Sequence, residues 1–109
     1  MKFRSMQLLL NDNDDIIMGS GRLAIFKSIQ RTGSINQTAS ELKMAYKTVW
    51  SKIKATEKNY GRKIVTADKQ SGTQLNEEGI KLLEKYQELK QRCIRADDQI
   101  FEQIFLNTD

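Results

Sequence analysis

Apolar positions along this 109-residue chain change spacing several times, and each change marks an element. Phe3, Met6, Leu8, Leu9 and Leu10 alternate in part, and Asn11-Asp12-Asn13-Asp14 is a dense turn signal. A second short apolar run, residues 15–18, follows. The pattern predicts a β-hairpin over residues 2–18. The acids of the turn invite a calcium reading. Ile16 and Ile17, however, occupy positions where a calcium loop needs oxygen ligands, so the cluster is read as a turn and no metal site is assigned. Gly19-Ser20-Gly21 then links to a helix over residues 22–32. Leu23, Phe26 and Ile29 recur there at helical spacing, and Gly33 stands where a C-terminal glycine cap belongs.

Residues 34–60 read as two helices folded over a tight turn. Ser34 is a good N-cap, with Gln37 three residues on completing a capping box. Ala39 is small enough to sit where two helices touch. Leu42, Met44, Val49 and Ile53 fall where a helix-turn-helix has its internal apolar contacts. Lys43-Met44-Ala45 is the turn, and the second helix runs from Tyr46 to Asn59 before Gly61 ends it. Its outward positions include Tyr46, Lys47, Thr48, Ser51, Lys52 and Lys54. Hydroxyls, lysines and an aromatic suit a helix that faces phosphates and base edges. The alternative is an ordinary helical hairpin with a solvated face. Trp50, at the border of the inward face, is read as a large buried anchor, with base stacking as the alternative.

Two short apolar stretches, Lys63-Ile64-Val65-Thr66 and Thr73-Gln74-Leu75, flank a polar loop and predict a second hairpin over residues 63–75. A hairpin directly after a recognition helix is a wing. Lys69 sits near its tip, to meet phosphate or simply to be solvated. Asn76-Glu77-Glu78 is a helix start, a cap followed by acids at the positive end of the dipole. Beyond it only Gly79 interrupts helical sequence to about residue 106. Leu82, Tyr86, Leu89, Cys93, Ala96, Ile100 and Ile104 form a near-heptad seam. A helix of that length extends about 45 Å, too far for a small head to cover. A second copy is the simplest partner for the seam, which predicts a twofold homodimer.

Composition narrows the function classes. There is no histidine, which removes the commonest general base and metal ligand. No paired acids sit in an apolar setting, so an enzyme has no constellation behind it and no cofactor is expected. The single cysteine, Cys93, cannot form an internal disulfide, and no apolar run approaches a membrane span. The expectation is a cytoplasmic protein with no membrane association. Charge is unevenly spread. Residues 43–69 hold eight bases against two acids, whereas residues 70–109 hold five against eight. Positive charge concentrated on the second half of the helix-turn-helix favours a double-stranded DNA partner over a generic solvated face.

The order hairpin, helix, capped helix-turn-helix, wing and long helix resembles the N-terminal DNA-binding domain of ModE-type molybdate-responsive regulators, itself close to the LysR-type winged helix. Gly21-Arg22-Leu23 and Thr32-Gly33-Ser34-Ile35 carry the likeness. So do Ala39, Leu42, Met44, Tyr46-Lys47-Thr48 with Trp50, Ile64-Val65, and Leu75-Asn76 with Gly79. The resemblance implies an α+β, mainly α fold. A winged head over residues 1–75 would be followed by a dimerisation helix over residues 76–106. It also implies a homodimeric transcription regulator reading an inverted repeat. Ser34, Lys43, Ala45, Tyr46, Lys47, Thr48, Ser51, Lys52, Lys54 and Lys69 would line the DNA side. Ala45 stands where the family has a capping serine, and Thr66-Ala67 with a short polar loop holding Gly72 stand where the family's wing is longer and glycine-rich. The chain stops where that family's molybdate-binding domains begin, so no small-molecule-sensing domain and no molybdate binding are expected. The competing reading is a winged-helix adaptor that docks other proteins through its long helix.

Overall fold

Helices dominate the computed structural model, which describes residues 1–107. The elements are β1 (Leu9–Leu10), β2 (Ile16–Met18), α1 (Ser20–Thr32), α2 (Ile35–Leu42), α3 (Tyr46–Tyr60), β3 (Val65–Asp68), β4 (Gly72–Leu75) and α4 (Glu77–Phe101). A π-helical turn, Glu102–Leu106, continues α4. The core joins Met18 to the inner faces of α1 (Ile25, Phe26, Ile29) and α3 (Val49, Ile53), and Ile64 and Leu83 close it. This is a winged helix-turn-helix with a long C-terminal helix.

Each helix of the head ends where backbone chemistry stops it. Gly33 and Gly61 take the left-handed conformation and return their N–H groups to Ile29 and Glu57. Ser34 caps α2 by accepting from the Gln37 N–H at 3.1 Å. Only half of the expected capping box forms, because the Ser34 N–H donates to Thr32 Oγ1 at 3.2 Å instead. A polar cluster ties α1 to α2. Ser28 Oγ lies 2.8 Å from Thr38 Oγ1 and donates to Glu41 at 2.9 Å, and Glu41 also pairs with Arg31. The Arg31 guanidinium, then the Ser28 hydroxyl, hold the Glu41 carboxyl below the usual carboxylate range. Thr38 is fully buried, so its hydroxyl needs that partner.

The first hairpin is shorter than the alternation over residues 2–18 predicts. Only Leu9 pairs with Met18 and Leu10 with Ile16, across an irregularity. Asn11 closes the turn, its Oδ1 accepting from Asn13 N (2.9 Å) and Asp15 N (3.0 Å). The preceding residues form an extended arm along α4. Gln7 O accepts from the Tyr86 hydroxyl at 2.6 Å, Ser5 Oγ donates to Asp97, and Phe3 stacks on Phe101 with centroids 5.3 Å apart. The arm's hydrogen bonds go to α4 rather than to a strand, which is why alternation alone misreads it.

The long helix also differs from the predicted seam. Leu82 and Tyr86, assigned to a dimer face, are buried in the chain's own core beside Leu83. Burying such side chains is worth about 2 kcal/mol each, so they serve the head. The distal positions are different: Leu89, Ala96 and Ile100 are exposed and Cys93 is half-buried.

Gly79 sets how closely α4 approaches the head. A Cβ built there would lie 2.2 Å from the Ile64 carbonyl oxygen, backbone that cannot move aside cheaply. Gly79→Ala is expected to destabilise the protein by about 1–3 kcal/mol, the usual cost of overpacking. Chemical denaturation checks this, and an unchanged midpoint would refute the close approach.

Candidate nucleic-acid interface

The exposed surface of α3 is built from its N-terminus. The Ala45 carbonyl accepts from Thr48 N (3.0 Å) and Val49 N (3.2 Å), starting the helix without a side-chain cap. Val49, Ile53 and Thr56 face the core. That periodicity turns Tyr46, Lys47, Thr48, Ser51 and Lys52 outward, and all five are exposed. Ala45 and Lys43 are exposed beside them.

The turn before α3 holds an unusual conformation. Lys43 has φ 54°, the left-handed region that glycine prefers. Its N–H donates to Ser40 O at 3.3 Å, and the Met44 N–H donates to Ala39 O at 2.9 Å. This is the double closure of a Schellman motif, with Met44 partly buried against the core. The sequence at Lys43-Met44-Ala45 offers no glycine to announce it.

The wing meets the helix-turn-helix at its other end. β3 and β4 pair in regular register from Val65–Leu75 to Asp68–Gly72. The Thr73 N–H donates to Gly33 O at 3.1 Å, so β4 lies against the α1–α2 turn. Gly72 has φ 78°, and a Cβ there would lie 2.3 Å from Gly33 O, so the position demands glycine on both counts. A shallow cleft results that brings Ser34, Tyr46 and Lys69 together, three residues assigned to the DNA side from sequence. Asn36 and Gln70 line the same cleft and escaped the sequence reading. Spacing could have placed Asn36, on the exposed face of α2, but nothing local announces Gln70.

Lys54 departs from the row. Its Nζ lies 3.2 Å from Glu57 Oε1 and 4.6 Å from the centroid of the Trp50 ring. Trp50 is accordingly only half-buried: one side packs on the core and Lys54 lies over its ring. Burial pushes the Glu57 carboxyl up, but N–H groups from Ile64 and Val65 together with Lys54 outweigh it and leave it below the usual range. Among the described residues, no ion pair engages Lys43, Lys47, Lys52 or Lys69. No group of potential metal ligands occurs among the described residues, and no helix among them is long and apolar enough to cross a membrane.

The tight turn, the outward row of α3 and the wing form a winged helix-turn-helix head, and comparison with known proteins gives its family. Residues 21–80 match the model of the bacterial regulatory helix-turn-helix proteins of the lysR family. The chain belongs to that family, whose members are DNA-binding transcription regulators. Two solved regulators share its fold. Full-length CbnR complexed with its target DNA superposes with a TM-score of 0.65 at 19% identity, over 78% of this chain and 29% of that one. VV2_1132, a LysR family transcriptional regulator, gives 0.61 at 22% identity, over 81% and 30%. The chain thus spans less than a third of the length of either regulator. None of the curated proteins compared with it matches.

The Lys43 conformation gives a direct test of the turn. Left-handed backbone costs a residue with a Cβ about 1–2 kcal/mol. Lys43→Gly is therefore expected to raise stability by about 1 kcal/mol, read as a higher midpoint in thermal or denaturant unfolding. A drop in stability would show that the turn is not held as described.

Proposed function

We propose that this chain is the sequence-specific DNA-reading head of a homodimeric regulator that binds an inverted repeat in the cytoplasm. The observation that carries the reading is the row Tyr46, Lys47, Thr48, Ser51 and Lys52, exposed on the helix that follows the turn. Lys43 stands at one end of it, and Lys69 lies beside Tyr46 across the cleft. An α-helix with such side chains fits the major groove, where lysine and hydroxyl groups reach base edges and phosphates. Ser34 and the start of α2 are at hand for a backbone phosphate. The residue-level likeness to ModE-type heads, through Gly33-Ser34-Ile35 and Tyr46-Lys47 with Trp50, belongs to the same reading.

Selection of duplexes from a random pool, followed by a salt titration of the winner, tests the DNA reading. An enriched inverted repeat with a steep salt slope is expected. On that site, Lys47→Ala should weaken binding by about 1–3 kcal/mol at one base pair if it meets a guanine. Equal weakening on all sequences would assign it to phosphate. A shallow slope without an enriched motif would instead favour the adaptor reading, in which the exposed end of the long helix docks a different protein.

The dimer rests on the distal half of α4. Leu89 and Ile100 are 43% and 51% exposed, and Cys93 and Ala96 lie between them on one face. Two copies packed along this stripe would present two heads to successive major grooves. Leu89→Asp is expected to yield monomers in sedimentation and to weaken binding to the full repeat much more than to a half-site. A dimer that survives this change would place the interface elsewhere.

A further inference from the structure

Glu57 is the one acid within α3, and it sits in the last turn, where the helix dipole disfavours negative charge. Its side chain is only 10% exposed. Its two oxygens have separate tasks. Oε2 accepts the backbone N–H groups of Ile64 (2.9 Å) and Val65 (3.3 Å), while Oε1 accepts from Lys54 Nζ (3.2 Å). The first pair is the root of β3. The second draws Lys54 back over Trp50 and away from the outward row of the same helix. Charge-assisted bonds of this kind are about twice as strong as neutral ones.

We propose that Glu57 is a positioning residue that fixes the wing against the recognition helix, so that Lys69 reaches phosphate, and that withholds Lys54 from the DNA. This rests on the DNA-binding reading above. The wing has two strands, each attached to the helix-turn-helix at its base. β4 is held at the α1–α2 turn by Thr73 N–H to Gly33 O, and the β3 root is held to α3 by Glu57. The strands are in regular register up to the tip, so the direction of the hairpin is set at its base. Lys69 lies one residue beyond β3 and follows that direction. Loss of the carboxylate leaves the N–H of Ile64, a fully buried residue, without its acceptor and frees the β3 root from α3, so that the wing is held only by β4 and by Asn76 at the start of α4.

The test measures the salt dependence of binding to a mixed-sequence duplex by the unaltered protein, Lys69→Ala, Glu57→Met, which keeps the length of the side chain but removes its acceptor oxygens, and the double variant. In the unaltered background Lys69→Ala is expected to lower the salt slope by about 0.9, one phosphate contact. In the Glu57→Met background the same change should lower it far less. Faster hydrogen exchange at the Ile64 and Val65 amides, with Val49 and Ile53 still protected, would show a loosened wing on a folded head. An equal Lys69 effect in both backgrounds overturns the proposal, as does no Lys69 effect in the unaltered protein. Lys54→Met tests the second half without touching the wing root. It should leave the slope unchanged, and a loss of about 0.9 would mean that Lys54 meets phosphate after all. If the unaltered protein shows no salt-dependent binding, the DNA reading fails. Exchange at Ile64 and Val65 would even then report whether Glu57 holds the wing.

Discussion

Three elements converge on the peptide groups of a single residue, Ile64, and the head depends on that junction. Its N–H is held by Glu57 from the end of α3, and its carbonyl accepts from Asn76 N at 3.0 Å at the start of α4. Its side chain is 1% exposed in the core. Gly79 lies against the same carbonyl, and only its missing Cβ lets α4 come this close. Asn76 adds a second tie, its Nδ2 donating to Lys63 O (2.9 Å) while its Oδ1 caps α4 through Gly79 N (2.8 Å). Recognition helix, wing and long helix thereby share one point of reference. A buried backbone polar group must find a partner, and here the partners are the groups that orient α3, the wing and α4.

The opposite side of the head solves the same problem differently. α2 is only eight residues long and would not form alone. Ser34 begins it, the Schellman closure at Lys43 ends it, and Ile35, Thr38 and Ala39 are buried against its neighbours. Side-chain hydroxyls and a carboxylate, rather than apolar packing alone, set its register on α1 through Ser28, Thr38 and Glu41. The short helix then delivers the chain into α3 at a fixed angle, because the left-handed Lys43 and the buried edge of Met44 leave little freedom.

Most of this head can be read from sequence, because its signals are local. Ser34 as a cap, Gly33 and Gly61 as stops, the inward period of Val49 and Ile53, and the wing around Gly72 all lie within a few residues of what they control. What escapes depends on distant partners. Ser5 meets Asp97 across 92 residues of sequence, and Tyr86 finds Gln7 across 79, so the arm resembled a strand and the seam seemed uniform. Periodicity marks a residue as inward-facing without saying what it faces. Leu82 and Tyr86 face their own head, whereas Leu89 and Ile100 face outward. Lys54 has the spacing of an outward lysine, yet the acid three residues on captures it.

The charge pattern changes meaning once these captures are known. Residues 43–69 carry eight bases, but Lys54 is paired with Glu57 and Arg62 with Glu78 at 2.9 Å. A cation already paired must give up its partner before it can neutralise a phosphate and release that phosphate's counterion. The raw excess therefore overstates the working charge. Six lysines of this stretch remain outside those pairs among the described residues: Lys43, Lys47 and Lys52 on the turn and the outward row of α3, Lys69 on the wing, and Lys58 and Lys63 toward the far end of α3, all of them exposed. The two pairings thus lower the free positive charge of the segment while leaving the outward row of α3 unpaired.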